Sequence, residues 1–193
     1  MAKAKVSKLP EIIYELEITL LETAPRIWRR LAVPGNITLA KLHDIVQEVM
    51  GWEECHLHEF RIGKNCYGKP DPEMDFGQTR MDEGKVKLQD VLVRKGMKFL
   101  YTYDFGDGWE HELKVVAMGP PDPDVKYPIC LVGERACPPE DCGGVYGYDH
   151  LLEVIADPQN EEYEEMMDWL GDEFDPNAFD LKAVNNRLAY FRR

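Results

Sequence analysis

From residue 12 to residue 22 the chain reads IIYELEITLLE, with Tyr14, Leu16, Ile18 and Leu20 alternating against Glu15, Glu17 and Thr19. A period of two is the pattern of a strand with one dry and one wet face. IWRRLAV (27–33) can return as its hairpin partner. The alternation resumes in HLHEFRI (56–62), where His56, His58, Phe60 and Ile62 would share a face. It resumes again in MKFLYTYDF (97–105) and WEHELKVVA (109–117), joined by Gly106-Asp107-Gly108, and YPICLVG (127–133) supplies a last strand.

Helical spacing occupies the rest. After Pro34-Gly35, Thr38 is placed to cap a helix whose residues Leu39, Leu42, Ile45, Val46, Val49 and Met50 run to a stop at Gly51. A short helix is expected from Leu88 to Arg94, and the segment 69–84 reads as a long turn-rich loop. Past residue 148 the pattern is helical throughout: DHLLEVIA ends at Asp157-Pro158, Asn160 can cap a second helix, and Asp180 can cap a third. Strands first, one early helix and a helical C-terminal third define an α+β fold with a mainly antiparallel sheet. The expected organisation is a disordered tail over residues 1–10 and a single domain over 11–193. No GxGxxG or GxxxxGK[ST] motif supports a nucleotide-binding βαβ fold.

Charge is distributed unevenly. Of the 36 acids, twelve fall between Asp149 and Asp180, a stretch without a single Lys or Arg, while the remaining 24 face 23 bases elsewhere. Such a segment disfavours direct contact with a phosphate backbone and favours a basic protein partner or bound cations; a plain solvated surface is the simpler alternative. No apolar run approaches the roughly 20 residues a bilayer span needs, and nothing after Lys3, Lys5 and Lys8 has signal-peptide character, so the cytoplasm is the expected location. The five cysteines form no CxxC pair and read as reduced thiols or ligands.

Two motifs bear chemistry. In YDFGDGWEH (103–111) a two-residue turn centred on Asp107-Gly108 would pair Gly106 with Trp109 and set Asp104 opposite His111, side chains about 5 Å apart. A carboxylate so placed orients a catalytic or metal-binding imidazole; it equally satisfies two polar groups beside Leu113 and Val115 with no chemistry at all. In CPPEDCGGVYGY (137–148), Cys137, Glu140, Asp141 and Cys142 offer ligand atoms in a stiff Pro-Gly loop that ends at Tyr148. A divalent-metal site could draw on these residues with His111, His56, His58 or Cys130, and on Asp104 and Asp107 if the two loops meet. His43 and His150 are given no role, and the tryptophans, Trp109 among them, read first as packing.

Together with WEECHLHEFRIG (52–63) and MMDWLGDEFDPNAFDLKAVNNRL (166–188), these two motifs resemble the plasmid pRiA4b ORF-3-like family, whose relatives include passenger proteins of insertion elements. The resemblance spans about residues 14 to 190 and implies a single α+β domain of prokaryotes and their mobile elements. It brings no reaction and no catalytic residue set, only a role beside a transposase or in DNA transactions through a protein partner. Two functions follow as expectations. One is a non-enzymatic binding or adaptor protein; the other is a metal-dependent enzyme, a hydrolase, built on Asp104, His111 and the Cys137–Cys142 loop.

Overall fold

The computed structural model describes residues 12–69, 80–171 and 174–192. The alternating segments form strands β1 (Ile13–Leu20), β2 (Trp28–Pro34), β3 (His58–Ile62), β6 (Lys98–Tyr103), β7 (Trp109–Gly119) and β8 (Ile129–Glu134). Two short strands join them, β4 (Asn65–Gly68) and β5 (Met81–Asp82). The sheet order is β5-β4-β3-β6-β7-β1-β2-β8, antiparallel at every pairing except β4 with β5. The architecture is α+β, as the order of patterns in the sequence requires. The end of the expected 69–84 loop is ordered as β5 and a 3₁₀ turn at Glu83–Lys85, while residues 70–79 and the expected N-terminal tail lie outside the described residues.

Alternation decides which side is dry. Tyr14, Leu16, Ile18 and Leu20 of β1 are buried with Tyr101 and Tyr103 of β6 and with Trp109, Leu113 and Val115 of β7. Helix α1 (Leu39–Met50) adds Leu39, Leu42, Ile45, Val46 and Val49 to this core. Each fully buried Leu or Ile contributes about 1.5–3 kcal/mol. On the wet face Glu17 pairs with Arg26 and Arg30, and Lys98 pairs with Glu112 across β6 and β7. Helix α1 has the predicted ends: Thr38 accepts from Lys41 N, and Gly51 takes the left-handed conformation, φ 102.

The helix α2 (Leu88–Val91) is a single turn. Helices α3 (Gly144–Ala156), α4 (Tyr163–Leu170) and α5 (Leu181–Leu188) follow, the last capped by Asp180 as expected. The loop expected over 137–148 therefore ends early. Gly143, with φ 90, closes it, and Tyr148, Leu151 and Val154 then recur on the buried side of α3. Helix α5 contributes Val184 and Leu188 to the core, whereas α4 buries none of its residues.

Two polar devices lock the far end of the sheet. Arg29 points inward from β2 and is only 2% exposed. Its guanidinium donates to the carbonyls of Val49, Trp28, Glu134 and Arg135 and stacks on Phe179, tying the C-terminal end of α1, whose dipole is negative, to β2 and the exit of β8. On the outer edge of β8, the Asn185 side chain accepts from Cys130 N and donates to Cys130 O, occupying both backbone groups of that residue.

Candidate functional site

The hairpin register differs from the one expected. Tyr103 pairs with Trp109 and Tyr101 with His111, so the connection is the five residues 104–108 and Asp104 does not face His111. The reason is burial. This register keeps Tyr101, Tyr103, Trp109 and His111 together on the dry face, all 0% exposed. Asp104 instead leaves the strand with φ 52; its Oδ1 accepts from Gly106 N at 2.8 Å and its carbonyl accepts from Gly108 N at 2.6 Å. His111 Nδ1 has the Tyr101 and Trp109 carbonyls as partners at 3.3 and 3.1 Å and therefore carries the proton. Burial holds its pKa down at about 4, so the ring is neutral at pH 7. His111 is a core residue.

The hairpin loop and the Cys137–Cys142 segment do meet. Asp107 Oδ2 accepts from Gly143 N at 3.1 Å, and a Cβ placed on Gly144 would lie 2.5 Å from the Asp107 carbonyl oxygen. A third loop, residues 53–57, completes the junction. Its backbone is fixed by three consecutive N–H groups, each donating to a side chain. Glu53 N donates to Glu140 Oε1 at 2.7 Å, Glu54 N to Gln47 Oε1 at 2.9 Å, and Cys55 N to Tyr103 OH at 3.0 Å. His56, the next residue, is thereby aimed at the meeting point.

At that point four side chains converge. His56 Nε2 lies 3.1 Å from Asp141 Oδ1, 3.8 Å from Asp104 Oδ2 and 3.9 Å from Glu140 Oε2. His56 Nε2 and Glu140 Oε2 are buried atoms without an aligned hydrogen bond. Both inner carboxylates are held by one oxygen and present the other. Glu140 Oε1 accepts from Glu53 N and, at 2.9 Å, from Tyr103 OH, while Asp104 Oδ1 is engaged by Gly106 N. Such outer hydrogen bonds fix the orientation of ligands. Asp141, with φ 56 and a side chain 72% exposed, leaves the fourth side open to water. Ligand atoms about 2.1 Å from a shared cation stand about 3–4 Å from one another; His56, Asp104 and Asp141 each offer a ligand atom within 4.8 Å of the other two, and Glu140 stands beside this trio. One imidazole and two carboxylates, with a third carboxylate alongside, suit Mn²⁺, Zn²⁺, Fe²⁺ or Mg²⁺.

The other expected residues are placed elsewhere. Among the described residues no cysteine joins a cluster of metal-ligand atoms. Burial pushes the Cys130 thiol up to about 11 and the Cys142 thiol up to about 12, the latter helped by Asp107, and holds the Cys137 thiol well above its ordinary value. Tyr148 is buried within α3 and Trp109 packs against Trp52. His58 turns away from His56: its Nε2 meets both oxygens of Glu83 at 3.0 and 2.9 Å, and its ring stacks on His43 with centroids 3.4 Å apart.

That second cluster was not visible in the sequence. His43 is 3% exposed, hydrogen-bonds Tyr101 OH through Nδ1, and is held neutral, its pKa down at about 3 through burial and the neighbouring His58. His150 lies within α3, 3.1 Å from Glu162. Glu53, Gln47 and Tyr103 were likewise missed as positioning groups. The signal for Tyr101 and Tyr103 was present: tyrosines on the dry face of a strand carry hydroxyls that need buried partners.

An eight-stranded sheet with helices on its dry side and a histidine–carboxylate site built from three loops describes the class of molecule. The chain belongs to the plasmid pRiA4b ORF-3-like protein family, whose model matches residues 12–183. It is 38% identical over 178 residues to the uncharacterized protein y4hQ of Sinorhizobium fredii, an alignment covering 91% of this chain and 90% of the relative. It is also similar to the crystal structure of a protein of unknown function, MM3350, from Methanosarcina mazei Go1. The TM-score there is 0.81 at 42% identity, over 90% of this chain and 98% of that one. No helix among the described residues is long and apolar enough to cross a membrane.

Proposed function

We propose that this protein binds a divalent cation at His56, Asp104 and Asp141, with Glu140 beside them, and uses it for metal-assisted hydrolysis. The observation that carries this reading is that His56 Nε2, a buried atom without a hydrogen-bond partner, is gathered with oxygens of Asp104 and Asp141 within 4.8 Å of one another, while the equally buried and unpartnered Glu140 Oε2 stands 3.9 Å from the same nitrogen. Relative to the expectation from sequence, this reading retains Asp104, Glu140 and Asp141, takes His56 in place of His111, and leaves out the cysteines. A cation there would lower the pKa of a bound water on the side that Asp141 leaves open.

Metal analysis of protein purified without a metal-affinity tag tests it. The expected result is about one Mn²⁺, Zn²⁺ or Fe²⁺ per chain, or uptake of one on titration that raises the melting temperature. Asp104→Asn and Glu140→Gln should each weaken uptake by at least about tenfold, whereas His58→Asn should not. Protein that takes up none of these ions, Mg²⁺ included, overturns the site. Uptake without hydrolysis of chromogenic phosphate or carboxylate esters reduces it to a structural clasp.

A second reading, a non-enzymatic adaptor for a basic protein, is supported by α4, which carries Glu164, Glu165 and Asp168 and buries none of its residues. The association with mobile elements that the resemblance implies, in a prokaryotic cytoplasm, would run through that protein partner rather than through direct DNA contact, because the acidic segment repels phosphate backbones.

A further inference from the structure

The adaptor reading can be given a place and a ligand chemistry. Helix α4 carries Tyr163, Met166, Met167, Trp169 and Leu170 in eight residues; Met166 and Leu170 pack partly against the core, but none of the five is fully buried. Trp169 is 51% exposed. A helix with this many large apolar side chains normally buries a whole face, and here Trp169 and the outer sides of the others are left for a partner to cover. Between α4 and α3 lies a groove of about 330 Å³. Leu151, Met166 and Trp169 supply its apolar walls, and Asp141, Glu162 and Glu165 its acids, with His150 on the rim 3.1 Å from Glu162 Oε2 so that Glu162 offers the partner its other oxygen. Trp169 also borders a second cavity, of about 570 Å³, on the other side of α4.

We infer that this groove docks a basic, apolar-containing segment of a partner protein, with a Lys or Arg stem lying along Met166 and Trp169 and its head between Glu162 and Glu165. Charge complementarity selects the occupant. The stretch from 149 to 180 has twelve acids and no Lys or Arg, so a nucleic acid is repelled, and two copies meeting through the same face would repel each other. The mixture of wall types selects the side chain, because long cationic residues pack their methylenes on apolar surface and keep the charge at its rim. A cation over the exposed Trp169 indole adds attraction to the electron-rich ring face. The inference rests on the adaptor reading and is independent of the metal, although Asp141 borders both places.

The test is calorimetric titration of the full chain with a synthetic peptide of about 12 alternating Lys and Leu residues, beside the same peptide with Glu in place of Lys. The Lys peptide should bind saturably, and its affinity should fall at least about tenfold between about 50 and 300 mM salt. Glu162→Lys combined with Glu165→Lys should lower affinity by at least about tenfold, as should Trp169→Ala, all at exposed positions where folding is unaffected. His56→Ala should leave peptide binding intact while abolishing metal uptake, which separates the two readings. Absence of saturable binding, equal binding of the Glu peptide, affinity unchanged in the Glu162/Glu165 variant, or self-association abolished by Trp169→Ala would each overturn the inference.

Discussion

His111 shows what a histidine does when burial decides its chemistry. Its ring is fully enclosed, its Nδ1–H is shared by two strand carbonyls, and Nε2 has no partner. Folded, it titrates near pH 4; unfolded, near the ordinary 6.5. The unfolded chain therefore binds the proton first, and stability is lost as pH falls from about 6.5 to about 4, by on the order of 3 kcal/mol from this residue. His43, held down at about 3, acts in the same direction. Urea unfolding at a series of pH values should reveal a midpoint that drops through this window. His111→Asn, whose amide can still donate to the Tyr101 and Trp109 carbonyls, should flatten part of the slope; an unchanged slope would remove His111 as its source.

At the level of elements, the loops make the site and the glycines let them meet. Gly144 has φ 69 and no room for a side chain against the Asp107 carbonyl. Gly144→Ala should cost more than about 1 kcal/mol and weaken metal uptake, because it pries the hairpin loop from the segment bearing Glu140 and Asp141. Gly51→Ala makes the control: φ is 102 there, but the space is open, so stability should fall while metal affinity stays. Uptake that survives Gly144→Ala would mean that the contact does not position the ligands. The same contrast explains what could be read in advance. Strands and helices were legible because Tyr14 to Leu20 and Leu39 to Met50 record local geometry residue by residue. The hairpin register was not, because Asp107-Gly108 is a local signal for a two-residue turn, and the pairing of Tyr103 with Trp109, imposed by the core, overrode it. Loop meeting was posed as a condition, and the structure fulfils it for Asp104 but not for His111. In the sequence His56 is one alternative ligand among several, since its aim depends on Tyr103 and Glu140, far away along the chain, as well as on Gln47 of α1.

Across the whole molecule, rigid and adjustable parts are separated. Strands β1 and β7 lie in the interior of the sheet, while the ligands sit on the connections between strands. A cation joining His56, Asp104 and Asp141 would couple three loops that the chain otherwise links only by hydrogen bonds. Hydrogen exchange should therefore slow at residues 53–56, 104–108 and 140–143 when Mn²⁺ or Zn²⁺ is added, and stay unchanged in β1 and β7. Slowing spread evenly over the sheet would point instead to global stabilisation without a bridge among the loops.

The Asn185 amide on β8 has a consequence for how this molecule behaves in company. An open sheet edge is a template on which another chain can crystallise its own backbone, and growth of that kind needs a free N–H and C=O in succession. At Cys130 both are already taken by a side chain that imitates a ninth strand one residue long. Crowded solutions of this protein then lack a nucleus for edge-to-edge fibre growth at that position, and Asn185→Ala would hand it back.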